Sequence, residues 1–228
     1  MSTIKIITKK EFLINNKIPE QEAVWNAIAK PWKTYVVKKI PIVEEFLKNK
    51  KGKIIDLGCG SGRNMIPNKD VEYYGVDFSN GQLMQAKIYI KKNKIKAKLF
   101  KLPIQNLSQF NYEVFDNGLF ISTLHCLDSL YKRKRSLQEF HRVLKPKAEA
   151  LISVWNSEDK RFKQVNFHGD IYMSWKELSI NHMRYYYLFY KEEFLNLVEK
   201  TGFTILDFYS PCEKDRFSKK NWIIRVKK

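Results

Sequence analysis

The run Ile54-Ile55-Asp56-Leu57-Gly58-Cys59-Gly60-Ser61-Gly62, followed by Val76-Asp77, limits what this chain can fold into more than any other stretch. Glycine at alternate positions permits positive φ and lets backbone N–H groups approach a ligand with no Cβ in the way. The apolar entry reads as a strand, and a helix N-terminus after the loop would favour an electronegative ligand group. Asp77, closing the next apolar run, is placed to accept hydrogen bonds from a ribose diol. A dinucleotide fingerprint needs G-x-G-x-x-G, whereas Arg63 and Asn64 stand where its third glycine would fall. No Gly-Lys-Ser/Thr follows, which excludes a P-loop. A Gly-rich turn that binds nothing is the bland alternative, and the second acid argues against it.

Around this loop, seven stretches read as strands: Lys53–Leu57, Glu72–Asp77, Ala97–Lys101, Asp116–Ser122, Ala148–Trp155, Thr204–Tyr209 and Trp222–Lys227. Pro41–Leu47, Gly81–Asn93, Leu130–Leu144 and Lys191–Lys200 read as helices, the first from proline at its start and the last stopped by Gly202. Alternation of this kind implies an α/β fold, a mostly parallel seven-stranded sheet with helices on both faces. The last two strands are joined by the polar segment 210–221 with no helix expected, so the final strand should run antiparallel. At 228 residues the chain suits one domain over 1–228. Two segments fall outside the plan: 18–38, which reads as an N-terminal cap, and 156–190, dense in aromatics and histidine. The second follows the fifth strand at the carboxyl ends of the sheet, where open α/β sheets bind ligands, and reads as a substrate lid.

The formal net charge is +18, from 42 basic and 24 acidic residues. Such a surface self-repels and complements a polyanion, so nucleic acid is the expected partner, although lysine-rich coding bias contributes to the count. Cys59, Cys126 and Cys212 are widely spaced with no C-x-x-C, against disulfides and against a zinc site built by this chain alone; no metal is expected. No apolar run approaches a membrane span and residues 1–11 lack a signal-peptide core, so the chain reads as cytoplasmic, with no membrane partner.

Catalytic residues should lie where the fourth strand ends, opposite the glycine loop, at Leu124-His125-Cys126-Leu127. His125 reads as a general base, an anion holder or a structural histidine; Asp128 as a helix N-cap; His141 as structural or solvated. Lys132-Arg133-Lys134-Arg135 reads either as a solvated helix face or as phosphate contacts at the rim of the site. The second run, from Lys87 to Lys98, has no interleaved aromatics and reads as solvation. In Arg184-Tyr185-Tyr186-Tyr187-Leu188 a guanidinium beside aromatics can clamp a carboxylate or stack on a base, while some of the tyrosines fill a lid core. Ser174-Trp175 and Asn221-Trp222 carry the same ambiguity.

The pattern Asp-x-Gly-x-Gly-x-Gly with Asp77 resembles the first motifs of class I S-adenosylmethionine-dependent methyltransferases, whose Rossmann-like sheet also ends in an antiparallel strand. The order Val24-Trp25-Asn26-Ala27-Ile28-Ala29, Pro41-Ile42-Val43, the glycine loop, Leu124-His125, Val154-Trp155, Met173-Ser174-Trp175, Arg184–Leu188 and Asn221-Trp222 resembles the tRNA wobble-uridine carboxymethyl methyltransferases. That family esterifies 5-carboxymethyluridine in the anticodon and works with a small zinc-binding activator protein. The resemblance implies S-adenosylmethionine held by Asp56, Gly58, Gly60, Gly62, Asp77, Gln105 and Leu124. It implies that His125 and Arg184 face the substrate carboxylate. It implies further substrate contacts from Trp25, Trp32, Arg133, Arg135, Trp155, Trp175, Tyr185, Tyr186, Asn221 and Trp222. Three positions depart from the family: Cys126 stands where a second histidine is usual, Val36 near an expected arginine, and Pro103-Ile104-Gln105 where an acid is common. Another RNA site, a small-molecule carboxylate, or a non-catalytic RNA-binding scaffold are the alternative readings.

Overall fold

The computed structural model describes residues 4–35, 38–163, 168–175, 182–209 and 215–228; Val36 and Cys212 lie outside them. Its elements in chain order are β1 (Ile6–Thr8), α1 (Lys9–Asn15), α2 (Gln21–Tyr35), α3 (Pro41–Leu47), β2 (Gly52–Leu57), β3 (Val71–Asp77), α4 (Asn80–Lys92), β4 (Ala97–Lys101) and β5 (Phe115–Ile121). A 3₁₀ turn over Leu124–Cys126 leads to α5 (Leu130–Val143), β6 (Leu144–Trp155), β7 (Gly169–Met173), β8 (Arg184–Leu188), α6 (Lys191–Glu199), β9 (Thr204–Tyr209), α7 (Arg216–Lys220) and β10 (Asn221–Lys227).

Seven strands form one sheet in the order β4-β3-β2-β5-β6-β10-β9. The five from β4 to β6 are parallel, and β10 runs antiparallel to both β6 and β9. Successive side chains of a strand point to opposite faces, and the core divides accordingly. Ile54 and its register partner Tyr73 pack with Val43 and Leu47 of α3, while Ile55 and Tyr74 pack with Phe140 of α5 and Phe194 of α6. Both faces are thus covered by helices, which is why the central strands read as continuous apolar runs.

Four local expectations need correction. No helix follows the glycine loop: residues 58–70 run as turns, because Gly62 takes φ +84° and Pro67 cannot donate to a helical ladder. The connection before β10 does contain a helix, α7, capped by Asp215, whose carboxylate accepts from Phe217 N and Ser218 N. The N-cap of α5 is Ser129, with Lys132 N donating to its hydroxyl, whereas Asp128 pairs with Lys132 Nζ at 2.8 Å. Lastly, the segment 156–190, read as an aromatic-rich insertion with no strands assigned to it, contains two. Its β7 and β8 pair with β1 in a second, three-stranded antiparallel sheet. Among the described residues no helix is long and apolar enough to cross a membrane.

Candidate active site

The carboxyl ends of β2, β3 and β5 open onto a cavity of about 210 Å³. Its floor is the glycine loop. Gly58 sits at φ +68°, and a Cβ there would fall 2.2 Å from the Thr123 side chain, so glycine is demanded both by backbone and by the neighbouring strand end. Gly60, at φ +51°, donates its N–H to Asp77 Oδ2 at 2.9 Å, and Ser79 N donates to Oδ1 at the same distance. Burial pushes the Asp77 carboxyl up to about 6, opposed by the N–H groups of Ser79, Gly60 and Phe78. Asp77 is therefore a fixed, partly desolvated acceptor on the cavity wall.

Asp56 lies deeper. Neither carboxylate oxygen has a hydrogen-bond partner, and burial pushes its pKa up to about 8. Asn64 nearby opposes that shift without completing a bond, the charge of Asp77 adds to it, and Arg63 offsets it in part. The side-chain amide of Gln82, on the cavity wall, is also buried with both ends unpartnered. Phe78, Pro103 and Ile104 add apolar surface to the wall that Asp77 shares, and Gln105 brings an amide to it. Apolar surface for a purine, an acceptor for a diol and unpaired buried polar groups around a glycine loop fit S-adenosylmethionine, whose adenosine and amino-acid ends need those partners. Leu124 stands apart: it is fully buried in the core and does not line the cavity.

The far side of the cavity is made by α2; the second sheet packs behind that helix, and none of its residues, Arg184 included, lines the cavity. Trp25 and Trp32 of α2 line it and meet edge to face, with ring centroids 5.1 Å apart. The Arg184 guanidinium carbon stands 5.5 Å from the Trp32 ring centroid, 5.1 Å from that of Trp175 and 5.4 Å from that of Tyr186. Arg184 donates Nη1–H to Tyr186 Oη at 2.9 Å and Nη2–H to the Ser174 carbonyl at 3.0 Å, while its Nε is buried and unpartnered. Among the described residues no carboxylate pairs with it. A buried guanidinium in an aromatic cage with no counter-charge is costly unless an anion completes it.

His125 is buried in the 3₁₀ turn and stacks against Trp155 (4.9 Å) and Tyr186 (5.7 Å). Its Nδ1 accepts from Trp155 N at 3.4 Å, which puts the proton on Nε2, and that atom is unpartnered. Burial, then the charge of Arg161, brings its pKa down to about 3. The ring is a neutral donor throughout the physiological range, which rules against a role that titrates near neutrality. Cys126, the next residue, lines the cavity where His125 does not.

Other residues singled out from sequence lie away from the cavity. Arg133 is buried, donating to Leu127 O at 2.8 Å and Tyr185 Oη at 3.3 Å, with its guanidinium 3.8 Å from the Tyr187 ring centroid. It ties α5 to β8 and offers nothing to a phosphate, because its donors point inward. Arg135 is on the outer face of α5, paired with Glu139 at 3.2 Å. Tyr185 points to the opposite face of β8 from Tyr186 and donates to Asp170. Trp222 is in the main core, and Asn221 accepts from Ser122 Oγ at 3.4 Å, supporting a wall residue rather than forming the wall. Trp155 packs on Tyr186 with ring centroids 4.0 Å apart, beneath His125. Of the basic run Lys132–Arg135, Lys132 is the member on the wall; Gln21 and Gln82, also on the wall, carry no sequence signal beyond the helical phase of α2 and α4.

Residues 33–207 match the methyltransferase-domain family. The chain is similar to the tRNA (carboxymethyluridine(34)-5-O)-methyltransferase of Schizosaccharomyces pombe, 28% identical over 211 residues, covering 81% of this chain and 88% of that one. It is 30% identical over 158 residues to the protein of the same name from Saccharomyces cerevisiae, covering 67% of this chain and 54% of the other. Among solved structures it superposes on a Burkholderia thailandensis 1,6-didemethyltoxoflavin-N1-methyltransferase with bound S-adenosylhomocysteine. The TM-score is 0.67 at 16% identity, over 94% of this chain and 92% of that one, a likeness of fold. With its glycine loop, paired acids and sheet order, the chain belongs to the methyltransferase-domain family and is a class I S-adenosylmethionine-dependent methyltransferase.

Proposed function

We propose that this enzyme methylates the carboxylate of 5-carboxymethyluridine at the wobble position of a tRNA anticodon, giving the methyl ester. The observation that carries the reading is Arg184: a buried cation, caged by Trp32, Trp175 and Tyr186, with no acid paired to it among the described residues. A guanidinium so held suits a carboxylate, which it can grip through two parallel N–H donors. The names of the two fungal relatives and the net charge of +18 support an RNA acceptor.

When bound, the cofactor supplies an electrophilic methyl group on a sulfonium. Asp77 accepts from the ribose hydroxyls and the glycine loop approaches the amino-acid end. Arg184 orients the substrate carboxylate without protonating it, and neutral His125, behind Trp155 and Tyr186 rather than on the cavity wall, supports that aromatic packing. No general base is required, because the nucleophile is already an anion; what the residues contribute is alignment and exclusion of water. Trp25, Trp32 and Trp175 flank the acceptor base, with α2 and the second sheet acting as the lid of a single-domain enzyme. A small zinc-binding activator and a cytoplasmic setting belong to the same reading.

The test is methyl transfer to tRNA carrying the free carboxymethyl group, with and without a zinc-ribbon activator, read by nucleoside mass spectrometry. Formation of the methyl ester is expected. Transfer only to free small carboxylic acids, or cofactor binding with no transfer to any tRNA, would overturn it.

A further inference from the structure

Arg63 follows directly on the glycine loop and lines the cavity. Two turns, closed by Gly62 N to Cys59 O at 2.9 Å and Met65 N to Gly62 O at 3.0 Å, hold it there. A guanidinium carries five N–H donors, yet among the described residues those of Arg63 make no hydrogen bond and no ion pair. The ring of Phe217, its centroid 5.9 Å away, is at the outer limit of a cation–π contact. Burial brings the Arg63 pKa down to about 10, opposed by the charge of Asp56, and the side chain remains a cation at physiological pH.

The surroundings make this more pointed. Lys132, the other cation on the cavity wall among the described residues, is neutralised by Asp128 at 2.8 Å. Asp56 is near enough to act on Arg63 by its charge but does not pair with it, and both Asp56 oxygens are unpartnered. A guanidinium on the cavity wall with no partner of its own complements a carboxylate. Phe78, Pro103 and Ile104 on the same wall, with Asp77, suit the nucleoside. That leaves the glycine-loop end for the amino-acid end of the cofactor, and its carboxylate needs a cation.

We infer that Arg63 is the carboxylate-reading residue of the cofactor site, taking the α-carboxylate of S-adenosylmethionine. Because this assignment concerns the cofactor alone, it stands or falls independently of which acceptor takes the methyl. It also gives Arg63 a role that the glycine spacing of the loop does not contain.

The experiment compares S-adenosylmethionine with its decarboxylated analogue, which keeps the sulfonium and the ammonium and lacks only the carboxylate. Isothermal titration calorimetry is run on the wild type, Arg63→Gln and Arg63→Lys. Losing a charge-assisted hydrogen-bonded pair should weaken S-adenosylmethionine about 30-fold in Arg63→Gln. The analogue should bind wild type and Arg63→Gln alike, and Arg63→Lys should recover part of the preference for the carboxylate. An equal loss for both ligands would make Arg63 merely structural and overturn the assignment, as would no loss for either. If Arg63→Gln fails to fold, Arg63→Lys decides: an undiminished preference for the carboxylated ligand over the analogue would overturn it, and a reduced one would support it.

Discussion

The side-chain oxygen of Asn26 accepts a hydrogen bond from Ser79 Oγ at 2.7 Å, joining α2 to the start of α4 beside Asp77. The same oxygen accepts from Gly81 N at 2.9 Å, and five residues earlier Gln21 Oε1 accepts from Tyr185 N at 2.8 Å. One helix thus straps the loop that follows Asp77 to the strand that carries Arg184. Asn26→Ala would leave a buried hydroxyl and a backbone N–H without their acceptor. The expected cost is about 1–3 kcal/mol, read as a lower denaturation midpoint at unchanged slope. Cofactor affinity should fall with it, because Ser79 N also donates to Asp77.

Arg184→Ala should leave cofactor affinity unchanged in calorimetry and reduce single-turnover methyl transfer by at least about 100-fold, the scale for losing one oriented donor at a reacting anion. Arg184→Lys should not restore it. A lysine ammonium lacks the planar fork that reaches Tyr186 Oη and the Ser174 carbonyl together while lying among three rings. Wild-type turnover in either variant would remove Arg184 from the site.

Cofactor affinity should fall as pH drops through about 6, where Asp77 takes up a proton and ceases to be a pure acceptor. Asp77→Asn should bind weakly at every pH and show no such dependence. His125 should contribute no limb near neutrality, since its pKa is brought down to about 3.

Asp56 governs stability in the opposite direction to an ion-paired carboxylate. Its folded pKa is raised from 3.8 to about 8, so the folded state holds a proton that the unfolded chain releases. Its contribution is full below the unfolded value and is lost as pH rises through about 8. Against Asp56→Asn, the wild-type Tm in the absence of cofactor should therefore fall progressively across that window. A difference that is flat with pH would contradict the buried, unpaired carboxyl.

Glu139 anchors the loop that carries Pro103–Gln105. It accepts from Leu107 N at 2.9 Å and pairs with Arg142 at 2.8 Å, while Arg142 donates to the carbonyls of Leu107 and Phe110. Glu139→Leu removes the counter-charge of a partly buried guanidinium that keeps its two carbonyl acceptors, leaves Leu107 N–H without a partner, and should cost about 1–3 kcal/mol in chemical denaturation.

Residues that act through the backbone were readable from sequence. The strands of the main sheet are apolar on both faces, and the loop from Gly58 to Gly62 needs positive φ wherever it folds, so Ile54–Gly62 and Val76-Asp77 announced themselves. The second sheet did not. Arg184-Tyr185-Tyr186-Tyr187-Leu188 shows no polar alternation because both faces of β8 are covered, Tyr186 by Trp155 and Tyr185 by Tyr172. Side-chain direction was decided only by tertiary packing. Lys132 faces the cavity while Arg133 turns into the interior, since one helical residue is a rotation of about 100°. Cys126 is on the wall and His125 behind the aromatics for the same reason, one step round a tighter turn. Composition and spacing determine which groups are available near a site; the phase of each helix and the pairing of distant strands determine which of them reach it.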